Sequence, residues 1–179
     1  HHQDDNAETF FLHLARGSGL RGLGGIYPVN GMYIRPLLCV GRKEIEDYLK
    51  GREMPYCIDA TNMEDAYMRN RIRNHVIPYF KENINEKTVE HMNRSMDQLR
   101  EIWDYMERQT ESAYQICTDQ NGEKICIHAD AYHRQERLIR KMILRKALAL
   151  VAEHEKDLEQ VHVEKLEGLF EKQVGKRLD

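Results

Sequence analysis

The first nine residues place two imidazoles and three carboxylates in one short segment. Asp4 and Glu8 are four residues apart and Asp5 and Glu8 are three apart, so a helix would bring these carboxylates onto one face. Carboxylate oxygens suit Mg²⁺ or an amine, and the addition of His1 and His2 would suit a divalent transition metal. The same spacing also fits a plain helix start, in which Asp5 caps the helix and Glu8 takes the capping-box position. The spacing alone leaves these readings open.

Two other groups could bind anions. Arg16-Gly17-Ser18-Gly19 places a guanidinium beside a glycine-rich loop, which suits a phosphate. The alternative for this segment is a helix end with Gly17 in the left-handed conformation. In Arg69-Asn70-Arg71-Ile72-Arg73, the first and last arginines share a helix face and could grip a phosphate or a carboxylate. The alternative there is a solvated basic face.

Residues 132–147 carry six Arg and Lys residues against a single glutamate. Such a stretch could follow a nucleic-acid backbone, or it could be the polar side of an amphipathic helix. The neighbouring residues 153–171 are acidic and could offset its charge.

The pattern of apolar residues and turn formers predicts the elements that position these groups. Helices are expected over 7–14 and 42–50 and up to Pro78, with an edge strand within 32–38. A helical stripe follows over 89–106, and it would serve a homodimer or an intramolecular helix pair equally well. Asn121-Gly122 predicts a hairpin over 116–127 with Cys117 opposite Cys126. Two further helices complete the chain.

Composition limits the class of protein. The chain has 179 residues, 41% of them hydrophobic, with a net charge of −3, so it can form a packed core. The four cysteines form no CxxC pair and no metal-type spacing, which favours a reducing compartment. No apolar run is long enough to cross a bilayer. The composition therefore predicts a cytoplasmic protein without a membrane partner.

The order of these segments along the chain resembles the PP-loop family of N-type ATP pyrophosphatases. The residues that carry the resemblance are His1-His2-Gln3-Asp4-Asp5-Asn6-Ala7-Glu8-Thr9, Arg16-Gly17-Ser18-Gly19-Leu20, Arg35-Pro36-Leu37-Leu38, Asp59 with Thr61-Asn62, and Arg69-Asn70-Arg71-Ile72-Arg73. Within that family they are most similar to the branch that forms lysidine. The resemblance is specific over about the first 80 residues and is one of layout beyond them.

This resemblance implies a mainly α fold with minor β structure. Residues 1–80 would be the C-terminal part of an α/β PP-loop domain of the adenine nucleotide α-hydrolase type. Residues 81–179 would be a helical domain with one β-hairpin near 116–127.

The implied activity is that of a ligase forming a C–N bond. ATP, with Mg²⁺, adenylates the C2 oxygen of the first anticodon cytidine of a tRNA(Ile) precursor, and the ε-amine of free L-lysine then attacks C2 and displaces AMP. His1 and Asp5 would be catalytic, and Asp4, Glu8, Arg16, Gly17, Ser18 and Gly19 would line the lysine and ATP cleft. Glu8 would hold the lysine substrate. Arg69, Asn70 and Arg73 would support nucleotide or tRNA binding, and no resident metal site is implied.

One departure from the family pattern affects the expected activity. The SGGxDS-type loop that normally precedes the His-His motif does not occur in these 179 residues. We therefore expect a fragment that neither turns over ATP nor makes lysidine by itself.

Three competing interpretations remain. One is a metal-dependent hydrolase built on His1, His2, Asp4 and Asp5. Another is a PP-loop tRNA thiolase, although those enzymes commonly use clustered cysteines. The third is a non-catalytic helical module that binds tRNA or another partner.

Overall fold

The computed structural model describes residues 1–57, 67–122, 124–151 and 160–170. Asp59, Thr61 and Asn62, which contribute to the family resemblance, lie outside the described residues. The chain divides into two compact units, His1–Trp103 and Asp104–Asp179. The predicted domain boundary near residue 80 stays a prediction, since compact units and family domains need not end at the same residue.

The first unit is built mainly from helices. Its helices are α1 (Gln3–Ala15), α2 (Leu20–Leu23), α3 (Arg42–Gly51), α4 (Met68–Arg71) and α5 (Ile77–Asn83), followed by the start of α6 (Thr88–Cys117). Strands β1 (Val29–Asn30) and β2 (Tyr33–Ile34) form a two-stranded antiparallel sheet. A 3₁₀ turn covers Pro36–Cys39, and a π-helical turn over Ile72–Val76 joins α4 to α5.

Two element predictions in this unit need correction. The strand expected over 32–38 is only two residues long, because Pro36 begins the 3₁₀ turn instead. The helix expected to end at Pro78 continues to Asn83. Pro78 is tolerated because it lies at the start of α5, where a backbone N–H lacks a helical partner anyway.

The start of α1 also differs from the prediction. His2, not Asp5, is the N-cap: its side chain accepts a hydrogen bond from the backbone N–H of Asp5, whose carboxylate accepts from the backbone N–H of His2. Asp5 is therefore the acidic partner in the capping box, and Glu8 is left free for tertiary contacts. The far end of α1 is as predicted, with Gly17 at a φ of 71°.

A buried core holds α1 against the α4–α5 segment and α6. Ala7, Ile72, Ile77 and Val89 form its centre. Phe11 of α1 packs edge-on against Phe80 of α5, with ring centroids 5.2 Å apart. These contacts fix the face of α1 that carries Glu8.

Gly25 lies where the loop after α2 packs against α1 and α6. Its φ is 70°, and an added Cβ would overlap the side chains of Asn6 and Met96. Gly31 has a similar φ of 58° but open space around it.

These two glycines form a matched pair for mutagenesis. We expect Gly25→Ala to cost about 1 to 2 kcal/mol for the left-handed backbone and about 1 to 3 kcal/mol more for the overlap. Gly31→Ala should cost only the first amount. Thermal and urea unfolding of both variants measures the difference, and equal losses would contradict the packing described.

In the described part of the second unit, the end of α6 is followed by a hairpin and three helices. The hairpin consists of β3 (Thr118–Asn121) and β4 (Lys124–Ile127), and the helices are α7 (Ala129–His133), α8 (Arg137–Val151) and α9 (Gln160–Phe170). Its core contains Tyr132, Ile143 and Leu144, with the ring of Tyr132 stacked on Phe170 at 4.3 Å between centroids. The prediction of a mainly helical chain with minor antiparallel β structure is confirmed in this coarse form.

The hairpin exists, but its predicted register is wrong. Cys126 pairs with Asp119, and Asn121 pairs with Lys124, so the turn lies one residue further along than Asn121-Gly122. Gly122 takes the positive φ, 64°. Cys117 consequently ends α6 instead of facing Cys126, and its thiol is buried.

The cysteines should differ sharply in reactivity. Burial raises the pKa of the Cys117 thiol, which lowers its thiolate fraction, whereas Cys39, Cys57 and Cys126 are exposed. We expect a colorimetric disulfide reagent at pH 8 to label three thiols rapidly and the fourth at least tenfold more slowly. Denaturant should equalise the rates, and four fast thiols in the native protein would contradict the buried position of Cys117.

Candidate active site at the start of α1

The centre of the candidate site is the carboxylate of Glu8. Its side chain is only 1% exposed, and both of its oxygens accept hydrogen bonds from arginines. Arg69 Nε donates to Oε2 at 2.7 Å, while Arg73 donates from Nε to Oε1 at 2.5 Å and from Nη2 to Oε2 at 3.0 Å. Arg73 thus forms a two-point, fork-like contact, and a buried charge is matched by two opposite charges.

Asp5 joins the same cluster one turn earlier on α1. Its Oδ1 accepts from Nη2 of Arg73 at 3.2 Å and from Nη2 of Arg69 at 3.3 Å. Its Oδ2 lies 3.4 Å from Nε2 of His2 and accepts from the His2 backbone N–H at 3.0 Å. Both oxygens of Asp5 are therefore engaged, and the two arginines bridge successive turns of α1.

Asp4 points to a different neighbour. Its Oδ2 accepts from the backbone N–H of Arg42 at 2.8 Å, at the start of α3, where a negative charge stabilises the helix. Nδ1 of His2 lies 3.6 Å from the same oxygen. Asp4 thereby joins the first turn of α1 to the first turn of α3.

The local charges favour a protonated Arg73. The hydrogen bond to Glu8 raises the pKa of Arg73 above its ordinary value; burial works against this, and the negative charges of Glu8, Asp5 and Asp4 add to the rise. Because the ordinary pKa of arginine already lies far above neutral pH and is raised further here, Arg73 stays charged at every working pH. Three carboxylates against two guanidiniums leave the cluster one negative charge when His2 is neutral.

Two polar groups of the cluster retain binding capacity. Arg69 has a side chain 39% exposed, and its Nη1 donates to none of the residues that the structure describes. Asp4 has a side chain 26% exposed, and its Oδ1 likewise has no hydrogen-bond partner among the described residues. An anion could reach the first group and an amine the second.

The structure brings together only part of the predicted site. The cluster consists of Asp4, Asp5, Glu8, Arg69 and Arg73. Asn70 is buried on α4 beside Arg69. His1 is exposed at the chain start, and His2 takes the place beside Asp5.

Arg16, Gly17, Ser18 and Gly19 lie at the opposite end of α1 from this cluster. Arg16 follows Asp5 by eleven positions, which corresponds to about 16 Å along the helix axis. Arg16, Gly17 and Gly19 are exposed there.

Sequence reasoning missed two roles at the site, that of His2 as N-cap and that of Asn93 in contacting α1. The sequence did contain a signal for the first. His2 and Asp5 are three residues apart, which is the capping-box spacing and could have identified His2 as the N-cap. Asn93 of α6 had no such signal. It contacts α1 across 87 to 90 residues of sequence.

The metal-hydrolase interpretation is not favoured by this geometry. Within residues 1–57, 67–122, 124–151 and 160–170, no group of three or more His, Cys, Asp or Glu side chains is arranged to hold a metal ion. Both oxygens of Glu8 and Oδ1 of Asp5 already accept from guanidinium groups, and Oδ2 of Asp5 accepts from the backbone N–H of His2. In the same described residues no helix is long and apolar enough to cross a membrane.

The segment that carries this cluster matches a known family. Residues 1–80 match the family model described as a PP-loop domain. The first 80 residues are therefore similar to the PP-loop family. The family resemblance predicted from the sequence is thus confirmed, and the buried Glu8–arginine cluster lies within the PP-loop match.

Similarity to curated relatives extends through both units. The chain is 41% identical, over all of its 179 residues, to the tRNA(Ile)-lysidine synthase of Caldanaerobacter subterraneus subsp. tengcongensis and spans 38% of that protein. It is 34% identical to the tRNA(Ile)-lysidine synthase of Clostridium perfringens, covering all of this chain and 38% of the relative. For that of Clostridium acetobutylicum the identity is 33%, over all of this chain and 39% of the relative. The chain therefore spans less than half the length of these curated relatives.

Proposed function

We propose that the protein takes part in ATP-dependent attachment of lysine to C2 of the first anticodon cytidine of a tRNA(Ile) precursor. The observation that carries this proposal is similarity over the whole chain to proteins named tRNA(Ile)-lysidine synthase. The PP-loop match and the charged cluster at the start of α1 support it. The protein would then be a ligase that forms a C–N bond.

The reaction needs two chemical steps. The C2 oxygen of cytidine first attacks the α-phosphorus of ATP, which releases pyrophosphate and makes that oxygen part of a good leaving group. The neutral ε-amine of lysine then attacks C2, the C2–O bond to AMP breaks, and the amine loses a proton. The protein must hold the amine near C2 and stabilise the charge that develops on the phosphate.

The cluster offers a group for each requirement. Oδ1 of Asp4 has an open position for an ammonium or amine, and Nη1 of Arg69 has one for an anion such as a phosphate or the lysine carboxylate. Asp5, and the exposed imidazole of His1, remain our proposed groups for the adenylation step. Arg69 and Arg73 would support nucleotide binding, with the buried Asn70 behind them.

We assign Glu8 a positioning role in place of direct contact with lysine. Its carboxylate is buried and both oxygens are bound by arginines, so a substrate amine would have to displace a guanidinium to reach it. By holding Arg69 and Arg73, Glu8 would orient the donors that meet the nucleotide. Arg16 and the glycines after it would act on a more distant part of the ligand.

ATP, free L-lysine and the tRNA are proposed as substrates, and the cytoplasm as the compartment. Mg²⁺ would accompany ATP. Asp5 and Glu8 do not fit as its ligands, because both oxygens of Glu8 and Oδ1 of Asp5 accept from arginines and Oδ2 of Asp5 accepts from the backbone N–H of His2. No step here therefore depends on a resident metal.

The test is incorporation of radiolabelled lysine into a tRNA(Ile) transcript by the complete gene product. We expect ATP-dependent incorporation that is lost when the first anticodon cytidine is replaced by uridine. Lysine-independent hydrolysis with a stoichiometric bound transition metal would instead support the hydrolase interpretation. Salt-sensitive tRNA binding without incorporation would support the non-catalytic module.

A further inference from the structure

Two buried asparagines connect α1, the loop before β1 and α6. Asn6 is 1% exposed and Asn93 is 8% exposed. Nδ2 of Asn6 donates to Oδ1 of Asn93 at 2.7 Å, and Oδ1 of Asn6 accepts from the backbone N–H of Ile26 at 2.7 Å. Neither asparagine belongs to the charged cluster itself.

The amide of Asn93 is held in one orientation. Its Nδ2 donates to the backbone carbonyl of Val89 at 2.8 Å and to that of Gln3 at 3.1 Å. Turning the amide over would place its oxygen against two carbonyl oxygens and its NH₂ group against the NH₂ group of Asn6. The network therefore has a single satisfied arrangement.

The two points at which Asn93 contacts α1 bracket the acidic residues of the site. Gln3 precedes Asp4, and Asn6 follows Asp5. The first turn of a helix lacks partners for its N–H groups and frays readily, so it needs tertiary contacts to hold its side chains still. The bonds from Asp5 to the two arginines are 3.2 and 3.3 Å long, so a small displacement of this turn would break them.

We propose that Asn93 is a positioning residue for the site: by clamping the first turn of α1 at Gln3 and Asn6, it sets where Asp4 and Asp5 meet their substrates. The predicted effect on the KM for lysine rests on the proposed function, whereas the clamping of the first turn of α1 does not depend on it. Asn93 acts through α1 and touches neither the reacting atoms nor the charged cluster.

Two substitutions test the clamp in the complete gene product. Asn93→Ala removes all three bonds and leaves Asn6 Nδ2 without its acceptor. Asn93→Asp keeps the shape but turns two donor contacts into contacts between oxygens. Gln98→Ala, an exposed position on the same helix, is the matched control, and Ile77→Val is a control for general loss of stability in the same unit.

The first readout does not need enzyme activity. NMR-detected hydrogen exchange should be at least tenfold faster in both Asn93 variants at the amide of Arg42, which donates to Asp4, and at that of Ile26, which donates to Asn6. Gln98→Ala should leave both rates unchanged. Unchanged exchange at Arg42 in both Asn93 variants would overturn the proposal, whatever the protein catalyses.

The second readout separates positioning from folding. At a temperature well below unfolding, we expect the KM for lysine to rise about tenfold in Asn93→Asp, while the KM for tRNA stays within twofold of the unmodified protein. A loss of folded protein alone, as in Ile77→Val, would lower kcat without moving either KM. A kcat loss with an unchanged KM for lysine would reduce Asn93 to a structural role. Absence of lysine incorporation by the unmodified protein would refute the proposed function and leave the exchange result to decide the clamp.

Discussion

Replacing Glu8 by glutamine should lower lysine incorporation at least tenfold and destabilise the first unit. The neutral amide has one acceptor oxygen in place of two and in either orientation turns its NH₂ group toward a guanidinium donor. Breaking a buried pair by removing one partner costs about 3 to 5 kcal/mol. The arginine side chains are 39% and 23% exposed, so solvent screening reduces this to about 2 to 3 kcal/mol. Chemical denaturation and the labelled-lysine assay measure the two effects.

The chain supplies a matched control for this substitution. Glu46 accepts from Arg42 Nε at 2.7 Å, but both side chains are more than a third exposed. Glu46→Gln should therefore change stability by no more than about 0.5 kcal/mol and leave activity intact. Equal losses of unfolding free energy in Glu8→Gln and Glu46→Gln would contradict the prediction that the buried ion pairs of Glu8 stabilise the protein more than an exposed pair does.

Replacing Arg73 by lysine should be almost as damaging, although the charge is kept. An ammonium group is a single point charge and cannot reproduce the forked contact to both oxygens of Glu8 or reach Asp5 as well. Loss of such charge-assisted bonds is expected to cost about 1.5 to 3 kcal/mol. Activity should fall about tenfold or more, because Asp5 and Glu8 lose the guanidinium group that both contact.

Arg71→Lys is the corresponding control, since Arg71 ends α4 two residues before Arg73 and its side chain is exposed. It should change neither the unfolding midpoint nor the KM for lysine measurably. Wild-type behaviour of Arg73→Lys would mean that charge alone, and not the forked geometry, holds the cluster.

Local patterns predicted much of the secondary structure. The helical spacing of Val89, Met92 and Met96 indicated the long helix α6, and Asn121-Gly122 indicated the hairpin. Such features depend on neighbours a few residues away, which a sequence displays directly. The hairpin register was wrong because a shift of one residue in the turn depends on packing at its base, where Cys117 is buried in the core of the second unit.

The composition of the site was also visible before the structure. Asp4, Asp5 and Glu8 have the spacing of a shared helix face, and Arg69 and Arg73 have the spacing of a pair. What the spacing left open was whether each set was a solvated surface or part of a site. The structure shows that the arginines form ion pairs with the carboxylates of Glu8 and Asp5, across 61 to 68 residues of sequence.

The amino-acid sequence by itself indicated the longer helices, which charges lie on the same face of each, and which family the first 80 residues resemble. Only the tertiary structure decided that Glu8 is buried between two arginines, that His2 and not Asp5 caps α1, and that Asn93 holds the first turn. The reason is physical. Helix periodicity is visible in residues a few positions apart, whereas a charge can be buried only where side chains from distant parts of the chain neutralise it and bond to it.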